Sequence, residues 1–314
     1  MFLVVGEALI DLVARPDGSF VPAPGGAPYN FARALALQGL EVGYANPISN
    51  DVLGLLLKQT LEASGARQLS ASSAKPTSLA LVVTNEDGQP QYTFYREGVA
   101  DRDFKLDALT GLALGDVLAI HTGALALVPP DHEKALVALR HFRARGALCC
   151  VDINMRPKVA QSVGVSEASY RDAVLEAVGA AHIVKVSDED LLALGIAHAA
   201  PESASQALLD RGCDLVLLTL GARGAWAVCA GQAVFQPAEQ VTIADTVGAG
   251  DTFFAAFLAS LQHQGVLQQL IERAPSVAEL TQALRHAAIS AAINISRRGC
   301  QPPTWDEARH WKPS

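Results

Sequence analysis

The apolar residues of this chain follow two alternating patterns, which together predict a layered α/β fold. Short runs rich in β-branched residues predict buried strands at Leu3–Val5, Glu41–Ala45, Val117–His121, Ala147–Ile153, His182–Val186 and Asp214–Leu218. Segments with the helical period lie between them, at Ala27–Gln38, Val52–Ser64, Asp131–Arg145, Ser169–Val178 and Ser203–Asp210. This alternation is typical of a doubly wound, mostly parallel sheet with helices on both faces, where ligands bind beyond the carboxyl ends of the strands.

One region breaks the alternation and predicts a small antiparallel β flap. Leu79–Thr84 and Gln91–Arg96 have the pattern of two strands around a turn at residues 85–88, and Leu12–Val21 adds to them. We therefore expect a single domain over residues 1–314, with lid segments at about 12–25 and 77–104. The exposed edges of such a flap and its apolar side chains would be covered by a second copy, which predicts a homodimer through the flap. Those apolar side chains are Leu79, Leu81, Val83 and Phe94.

Two long apolar helices are predicted near the end of the chain, at Thr252–His263 and Val277–Ile295. A hairpin at 225–236 precedes them. The helix from Thr252 is apolar on every side, which predicts that it is buried. Because a buried helix whose amino end opens on a cleft attracts anions, this helix start is a candidate anion site.

Composition and charge exclude several classes of protein. The formal net charge is −8, and the chain contains no basic run of five or more residues, so we expect no nucleic-acid surface. The five cysteines form no C-x-x-C pair, which indicates reduced thiols and a cytoplasmic protein. No stretch reaches 18 uninterrupted apolar residues, so we expect no membrane span.

The strongest chemical signal is the segment Asp245-Thr246-Val247-Gly248-Ala249-Gly250-Asp251-Thr252. Glycines at 248 and 250 allow a tight turn that brings an anion close to bare N–H groups. Asp251 then stands where its carboxylate can reach a hydroxyl group beside that anion, as phosphoryl transfer requires. From the residues alone, Asp251 could equally be a simple helix cap. The chain has no Gly-Lys pair and so no Walker loop.

The same segment resembles the C-terminal signature of the ribokinase-like (PfkB) carbohydrate kinases, and Gly25–Ala32 resembles their N-terminal signature as fructokinases have it. Matching segments extend from Gly6–Asp11 to Arg297–Pro302. The resemblance implies transfer of the γ-phosphoryl group of ATP to a sugar hydroxyl, with Mg²⁺. It also implies that Asp251 is the base and that Gly248, Ala249 and Gly250 form the anion hole.

The resemblance further implies that five residues contact the sugar, and four of them have a simpler structural interpretation. Asp11 could be a solvated acid at a strand end, and Asn30 a polar residue early in a helix. Gly26 would allow close approach of the backbone. Arg96, from a flap that resembles the fructokinase flap, could be a solvated edge-strand residue. Arg156 could belong to a structural ion pair or contact the phosphate in transit.

The nucleotide and metal positions also come from the resemblance. The nucleotide would lie against Ser187, Thr219, Gly221 and Gly224. Asp190 stands where the family has Glu, which implies a water-mediated Mg²⁺ contact, and Ser187 stands where the family has Asn. Both residues could instead cap a helix. Backbone carbonyl groups near Asp245 and Val247, with those near Arg297 and Gly299, would form a monovalent cation site for K⁺.

Several substrates and one non-catalytic alternative stay open at this point. Fructose is the first choice, on Gly25–Asn30 and Phe94–Asp101. The alternative 2-keto-3-deoxygluconate carries a carboxylate, which would favour additional cationic groups in the pocket. A nucleoside kinase of the same fold is a further candidate. A sugar-binding relative without catalysis would lack the base that Asp251 provides.

Overall fold

The computed structural model describes residues 1–84, 90–110, 117–196, 200–229 and 231–312. The strands within these ranges are β1 (Phe2–Val4), β2 (Leu9–Ala14), β3 (Phe20–Gly25), β4 (Val42–Tyr44), β5 (Arg67–Gln68), β6 (Ser78–Thr84), β7 (Pro90–Tyr95), β8 (Ala119–Gly123), β9 (Leu148–Asp152), β10 (Ile183–Ser187), β11 (Leu215–Thr219), β12 (Ala225–Cys229) and β13 (Gln232–Gln236). The α-helices are α1 (Ala27–Leu37), α2 (Val52–Ala63), α3 (Leu106–Thr110), α4 (His132–Arg143), α5 (Pro157–Ser162), α6 (Glu167–Ala180), α7 (Asp188–Leu194), α8 (Pro201–Leu209), α9 (Ala249–His263), α10 (Val277–Ile295) and α11 (Trp305–Arg309).

The larger sheet has nine strands in the order β13-β12-β11-β10-β9-β8-β1-β4-β5. Its strands pair in parallel from β5 to β11, and β12 and β13 add an antiparallel edge. All six strands predicted from apolar runs lie in this sheet, within two residues of their predicted ends. The predicted mostly parallel α/β fold is therefore confirmed.

Helices cover both faces of this sheet and bury a separate hydrophobic cluster on each side. The first cluster contains Tyr29, Leu57, Phe254 and Leu284, from helices α1, α2, α9 and α10. The second contains Leu139 and Val174, from α4 and α6. Helix α9 is buried over nearly its whole length, as predicted from its apolar surface. No helix in the described ranges is both long and apolar enough to cross a membrane.

The smaller sheet has four strands in the order β3-β2-β6-β7, lies where the small β flap was predicted, and is called the lid below. Its outer pairs, β2–β3 and β6–β7, are antiparallel, as predicted for the flap. The central pair β2–β6 is parallel, because β6 returns to β2 from a distant part of the chain. The predicted turn at 85–88 lies outside the described residues.

Candidate active site

The turn at Gly248 positions the amino end of helix α9 toward the carboxyl edge of the large sheet. Gly248 has φ 73°, in the left-handed region where glycine is favoured, and a Cβ atom there would overlap Cys300. The first N–H groups of a helix have no partner within the helix. Here the N–H of Ala249 donates to the Thr246 carbonyl at 3.3 Å. Within the described ranges, the N–H groups of Gly250 and Asp251 have no acceptor, so these two amides can receive an anion.

Asp251 lies in the first turn of α9 and is 7% exposed. Its Oδ2 accepts a hydrogen bond of 3.1 Å from Asn30 Nδ2. Burial, and to a lesser extent the charge of Asp152, raise the pKa of Asp251 to about 7 against the opposing effects of Lys185, Asn30 and Arg156. A carboxylate with such a pKa can accept a proton near neutral pH. The simple capping role is not observed, since no side chain caps this helix start.

A buried ion pair lies beside Asp251, and the sequence interpretation missed it. Lys185 on β10 donates to both carboxylate oxygens of Asp152, at 2.9 and 3.1 Å. Burial alone would lower the pKa of Lys185, but Asp152 and Asp190 raise it, so its ammonium group is charged. A Cβ atom on Gly250 would lie 3.0 Å from Lys185 Nζ, which places the cation against the turn that precedes Asp251. The sequence feature that could have indicated this ion pair is a lysine within the apolar strand Ile183–Ser187, because a buried lysine needs a partner.

The predicted sugar end of the site comes from the lid and from helix α1. Asp11 lies on β2 directly against Gly25, where a Cβ atom would overlap its carboxylate. Burial raises the pKa of Asp11 to about 6, and Arg156 opposes the rise. Gly26 has φ 104° at the start of α1 and packs on the Glu7 carbonyl group. Asn30 is buried, and its Oδ1 has no partner in the described chain, so it can accept from a sugar hydroxyl.

Arg156 and Tyr92 lie near each other and near Asp11. The Arg156 side chain is exposed and donates to the Met155 carbonyl at 2.9 Å. Its charge lowers the pKa of both Asp11 and Asp251, so it lies near both. No carboxylate in the described chain lies within ion-pair distance of Arg156, so the structural ion pair is not observed. Tyr92 on lid strand β7 was not predicted; burial raises its pKa, and the charges of Asp11 and Asp245 add to the rise.

Arg96 belongs to a neighbouring polar cluster rather than to the group around Asp251. Its guanidinium group donates to Asp101 Oδ2 at 3.0 Å, and its side chain is 11% exposed. The interpretation of Arg96 as a solvated edge-strand residue is therefore wrong. Burial lowers its pKa, but the charges of Asp101 and Glu7 raise it, which indicates that Glu7 is also close. Direct contact of Arg96 with the sugar stays a prediction.

The four predicted nucleotide residues lie at the ends of β10 and β11. Thr219 ends β11, and the short 3₁₀ turn Gly221–Arg223 follows it, with φ 57° at Gly221 and 120° at Gly224. Ser187 ends β10 and caps helix α7. These residues line one edge of the sheet, and their contact with a nucleotide stays a prediction.

Asp190 is held by protein groups on both carboxylate oxygens. Its Oδ1 accepts from the Met155 N–H at 2.7 Å, and its Oδ2 accepts from the N–H and the hydroxyl group of Ser187 at 2.9 and 2.8 Å. Together Ser187 and Asp190 form a capping box. This arrangement favours the capping interpretation of Asp190 over a magnesium contact.

Asp245 joins the two segments that were predicted to hold a monovalent cation. Its Oδ1 accepts from the Val247 N–H at 3.1 Å and its Oδ2 from the Gly299 N–H at 2.9 Å. The Val247 carbonyl accepts from Asn294 Nδ2 at 2.8 Å. Within the described residues, no group of three or more His, Cys, Asp and Glu side chains could hold a metal ion.

Comparison with known proteins adds the family. The sequence pattern of the pfkB family of carbohydrate kinases matches residues 1–307. A fructokinase from Rhizobium leguminosarum bv. trifolii is 35% identical over 272 residues, which are 85% of this chain and 81% of that protein.

Two solved fructokinases have the same fold. The structure from Xylella fastidiosa with bound ATP aligns with a TM-score of 0.85 and 26% identity, over 98% of this chain and 96% of that chain. The structure from Vibrio cholerae O395 with fructose, ADP and a calcium ion aligns with a TM-score of 0.79 and 26% identity, over 95% and 94% of the two chains. The match over nearly all of the sequence, together with the turn at Gly248 and its buried acid, shows that this chain belongs to the pfkB family of carbohydrate kinases and is an ATP-dependent sugar kinase.

Proposed function

We propose that this kinase transfers the γ-phosphoryl group of ATP to a hydroxyl group of fructose, with Asp251 as the base. The observation that carries the proposal is the position of Asp251. It is buried at the amino end of α9, has a pKa of about 7, and lies between Asn30 and the Lys185 ammonium group. Proton removal from an alcohol need only accompany formation of the bond to phosphorus, so a carboxylate of this basicity suffices.

The other residues would orient the reactants and stabilise negative charge. Asp11 and the free Oδ1 of Asn30 accept hydrogen bonds from sugar hydroxyl groups. The free N–H groups of Gly250 and Asp251, with the positive end of the α9 dipole, receive the oxygens of the migrating phosphoryl group. Lys185 places a full positive charge against the same turn, and the exposed Arg156 can contact phosphate from the cleft.

For Mg²⁺, the chain offers few free carboxylate oxygens, since Asp190 is engaged by protein groups and Asp152 by Lys185. Mg²⁺ in kinases is held largely by water and by substrate phosphates, which fits this donor set. When bound, Mg²⁺ would neutralise charge on the phosphates of ATP.

For K⁺, Asp245 holds the segments at Val247 and Gly299 side by side, which supports a cation site of backbone carbonyl groups.

The charges around the cleft favour a neutral sugar over 2-keto-3-deoxygluconate. The guanidinium charge of Arg96 is balanced by Asp101, and the cleft itself contains Asp11 and Asp251. A substrate carboxylate would therefore meet two acids, the exposed Arg156 and a Lys185 charge that Asp152 already balances. The similarity to the Rhizobium fructokinase and to the fructose-bound Vibrio structure also supports fructose.

We expect kcat/KM for fructose to exceed that for 2-keto-3-deoxygluconate at least ~10²-fold, because an uncompensated charge in the cleft opposes binding. A panel of sugars in a coupled ADP-release assay measures this, with adenosine and an aminoimidazole riboside as controls for a nucleoside kinase. A higher value for the keto acid or for a nucleoside would overturn the fructose assignment.

We further propose a homodimer formed through the lid. The lid exposes several apolar side chains, among them Phe20 at 48%, Val83 at 43% and Tyr95 at 58%. Pairing two lids across a twofold axis would cover these side chains and the open edges of β3 and β7. Light scattering at micromolar concentration should give twice the mass of one chain, and a monomer mass would contradict the proposal.

A further inference from the structure

A buried polar cluster connects the base of the lid to the start of helix α1. Its members are Glu7, Asn46, Ser78, Arg96 and Asp101, all of which are buried or nearly so. Ser78 starts lid strand β6, and Arg96 directly follows lid strand β7. Both donate to the carboxylate of Asp101, so one acid contacts the base of both lid strands.

The cluster continues from the lid into the large sheet. Asn46, which follows β4, donates to the Asp101 carbonyl at 2.8 Å and accepts from the Gly6 N–H at 2.8 Å. Gly6 and Glu7 follow β1, and a Cβ atom on Gly6 would overlap Pro28 in the first turn of α1. The loop after β1 therefore packs directly on the helix that carries Asn30.

Glu7 occupies the centre of this arrangement. It is 2% exposed, and its Oε1 accepts from the N–H of Ala27, the first residue of α1, at 3.2 Å. The usual cap position of α1 is Gly26, which has no side chain to offer. Glu7 therefore acts as the cap of α1 from a distant part of the sequence, and its charge complements the helix dipole.

The second oxygen of Glu7 faces the lid side of the cluster. Glu7 Oε2 and Arg96 Nε are both buried without a hydrogen-bond partner in the described chain, and both residues line one cavity of about 20 Å³. A cavity of this size holds one water molecule, and a water molecule there needs polar partners, which these two atoms provide. Burial raises the pKa of Glu7 to about 7, and the charge of Arg96 opposes the rise, so the guanidinium group stabilises the ionised form of Glu7 across the cavity.

We propose that Glu7 is a positioning residue that couples the lid base to the sugar-binding end of α1, capping the helix with Oε1 and linking to Arg96 through one bridging water molecule. Through this coupling, the lid position and the orientation of Asn30 change together. Glu7 touches neither the sugar nor the phosphate in this role. The inference rests on the proposed sugar site at Asp11, Gly26 and Asn30.

The test compares Glu7→Ala, Glu7→Gln and Arg96→Lys with wild type, using the best sugar of the panel. We expect Glu7→Ala to raise the KM for the sugar at least ~10-fold, with kcat and the KM for ATP within ~3-fold of wild type. Glu7→Gln keeps an acceptor for the Ala27 N–H and should recover most of the sugar affinity. Arg96→Lys keeps the charge but removes Nε, so it should raise the sugar KM about 5-fold.

The double variant Glu7→Ala/Arg96→Lys tests the coupling itself. If the two residues act through one bridge, the double variant should be no more than ~2-fold worse in sugar KM than Glu7→Ala alone. If the effects of the two substitutions on the sugar KM multiplied in the double variant, the proposed link between Glu7 and Arg96 would be overturned. A lower melting temperature with an unchanged sugar KM in Glu7→Ala would mean that Glu7 is only structural. Should Glu7→Ala not fold, Glu7→Asp, whose carboxylate is one methylene shorter and so cannot keep both contacts, replaces it in the cycle with Arg96→Lys.

Glu41→Gln is the matched control, because it removes a glutamate charge from an exposed ion pair with Arg67. It should leave kcat and the KM values for sugar and ATP unchanged. A crystal structure should place a water molecule within hydrogen-bond distance of Glu7 Oε2 and Arg96 Nε, and its absence would also overturn the bridge. Wild-type protein that fails to phosphorylate every sugar would contradict the proposed function instead, independently of Glu7.

Discussion

Asp251→Asn should lower kcat at least ~10²-fold while the sugar and ATP still bind with nearly unchanged affinity. Asparagine has the shape of aspartate and can still accept the hydrogen bond from Asn30 Nδ2, so the pocket should keep its form. It cannot accept the proton of the sugar hydroxyl group. Steady-state kinetics and calorimetric titration measure the two effects separately. An unchanged rate would remove Asp251 from the mechanism.

The same variant has a second consequence, for stability. The pKa of Asp251 rises from 3.8 to about 7 on folding. Keeping Asp251 ionised therefore lowers the stability of the folded state by about 4 kcal/mol at most. Because this carboxyl pKa is raised, the cost is absent below pH 3.8, grows as pH rises and is complete above pH 7. Asp251→Asn should therefore melt at a higher temperature than wild type at pH 8, and the difference should shrink by pH 5. If the variant and wild type had the same melting temperature at both pH values, the interpretation of Asp251 as a buried, ionised acid would be contradicted.

Lys185→Met should lower kcat at least ~10²-fold for two electrostatic reasons. The ammonium charge that lies against Gly250 is lost, so the phosphoryl oxygens have one fewer positive group. Asp152 also loses its only ion-pair partner in the described chain, and its charge then raises the pKa of Asp251 further. The pH at which the rate is half-maximal should move upward in this variant. Rates measured between pH 6 and 9 test both effects.

The double variant Asp152→Asn/Lys185→Met separates these two causes. Removing both charges relieves the buried, unpaired acid, so the pH profile should return toward that of wild type. The lost cation is not replaced, so kcat at high pH should stay low. A full recovery of kcat would mean that Lys185 serves only to neutralise Asp152.

The sequence was sufficient to predict the parts of the site that depend on local chemistry. Gly248 and Gly250 predicted a turn that brings an anion to a helix start, and α9 begins there. The apolar runs predicted the parallel strands because strands buried on both faces tolerate few polar residues. Asp11, Gly26 and Asn30 came from family resemblance, and Asp251 came from both the local pattern and the resemblance. The structure brings their segments together.

The parts that the sequence did not predict depend on pairing between distant residues. Nothing near Lys185 indicates that Asp152, 33 positions away, is its partner, because only the parallel pairing of β9 and β10 makes them neighbours. Arg96 looked like an edge-strand residue because its partner Asp101 lies five positions later, after a turn. The sequence pattern does not show that this turn brings Asp101 back to Arg96. The side chain of Asp190 is shorter than the Glu that the family has at this position. In the structure, the Asp190 carboxylate accepts hydrogen bonds from Ser187 and Met155, which accounts for the shorter side chain.

The contacts of residues 299 and 300 have a consequence for how the enzyme is made. Cys300 packs against Gly248, its carbonyl group accepts from Arg33, and the Gly299 N–H binds Asp245. The turn at Gly248 thus has its native support only once the chain has been synthesised past residue 300. A ribosome-bound nascent chain that ends before that point would already contain every residue proposed to touch sugar or ATP, and we expect it to be inactive nonetheless.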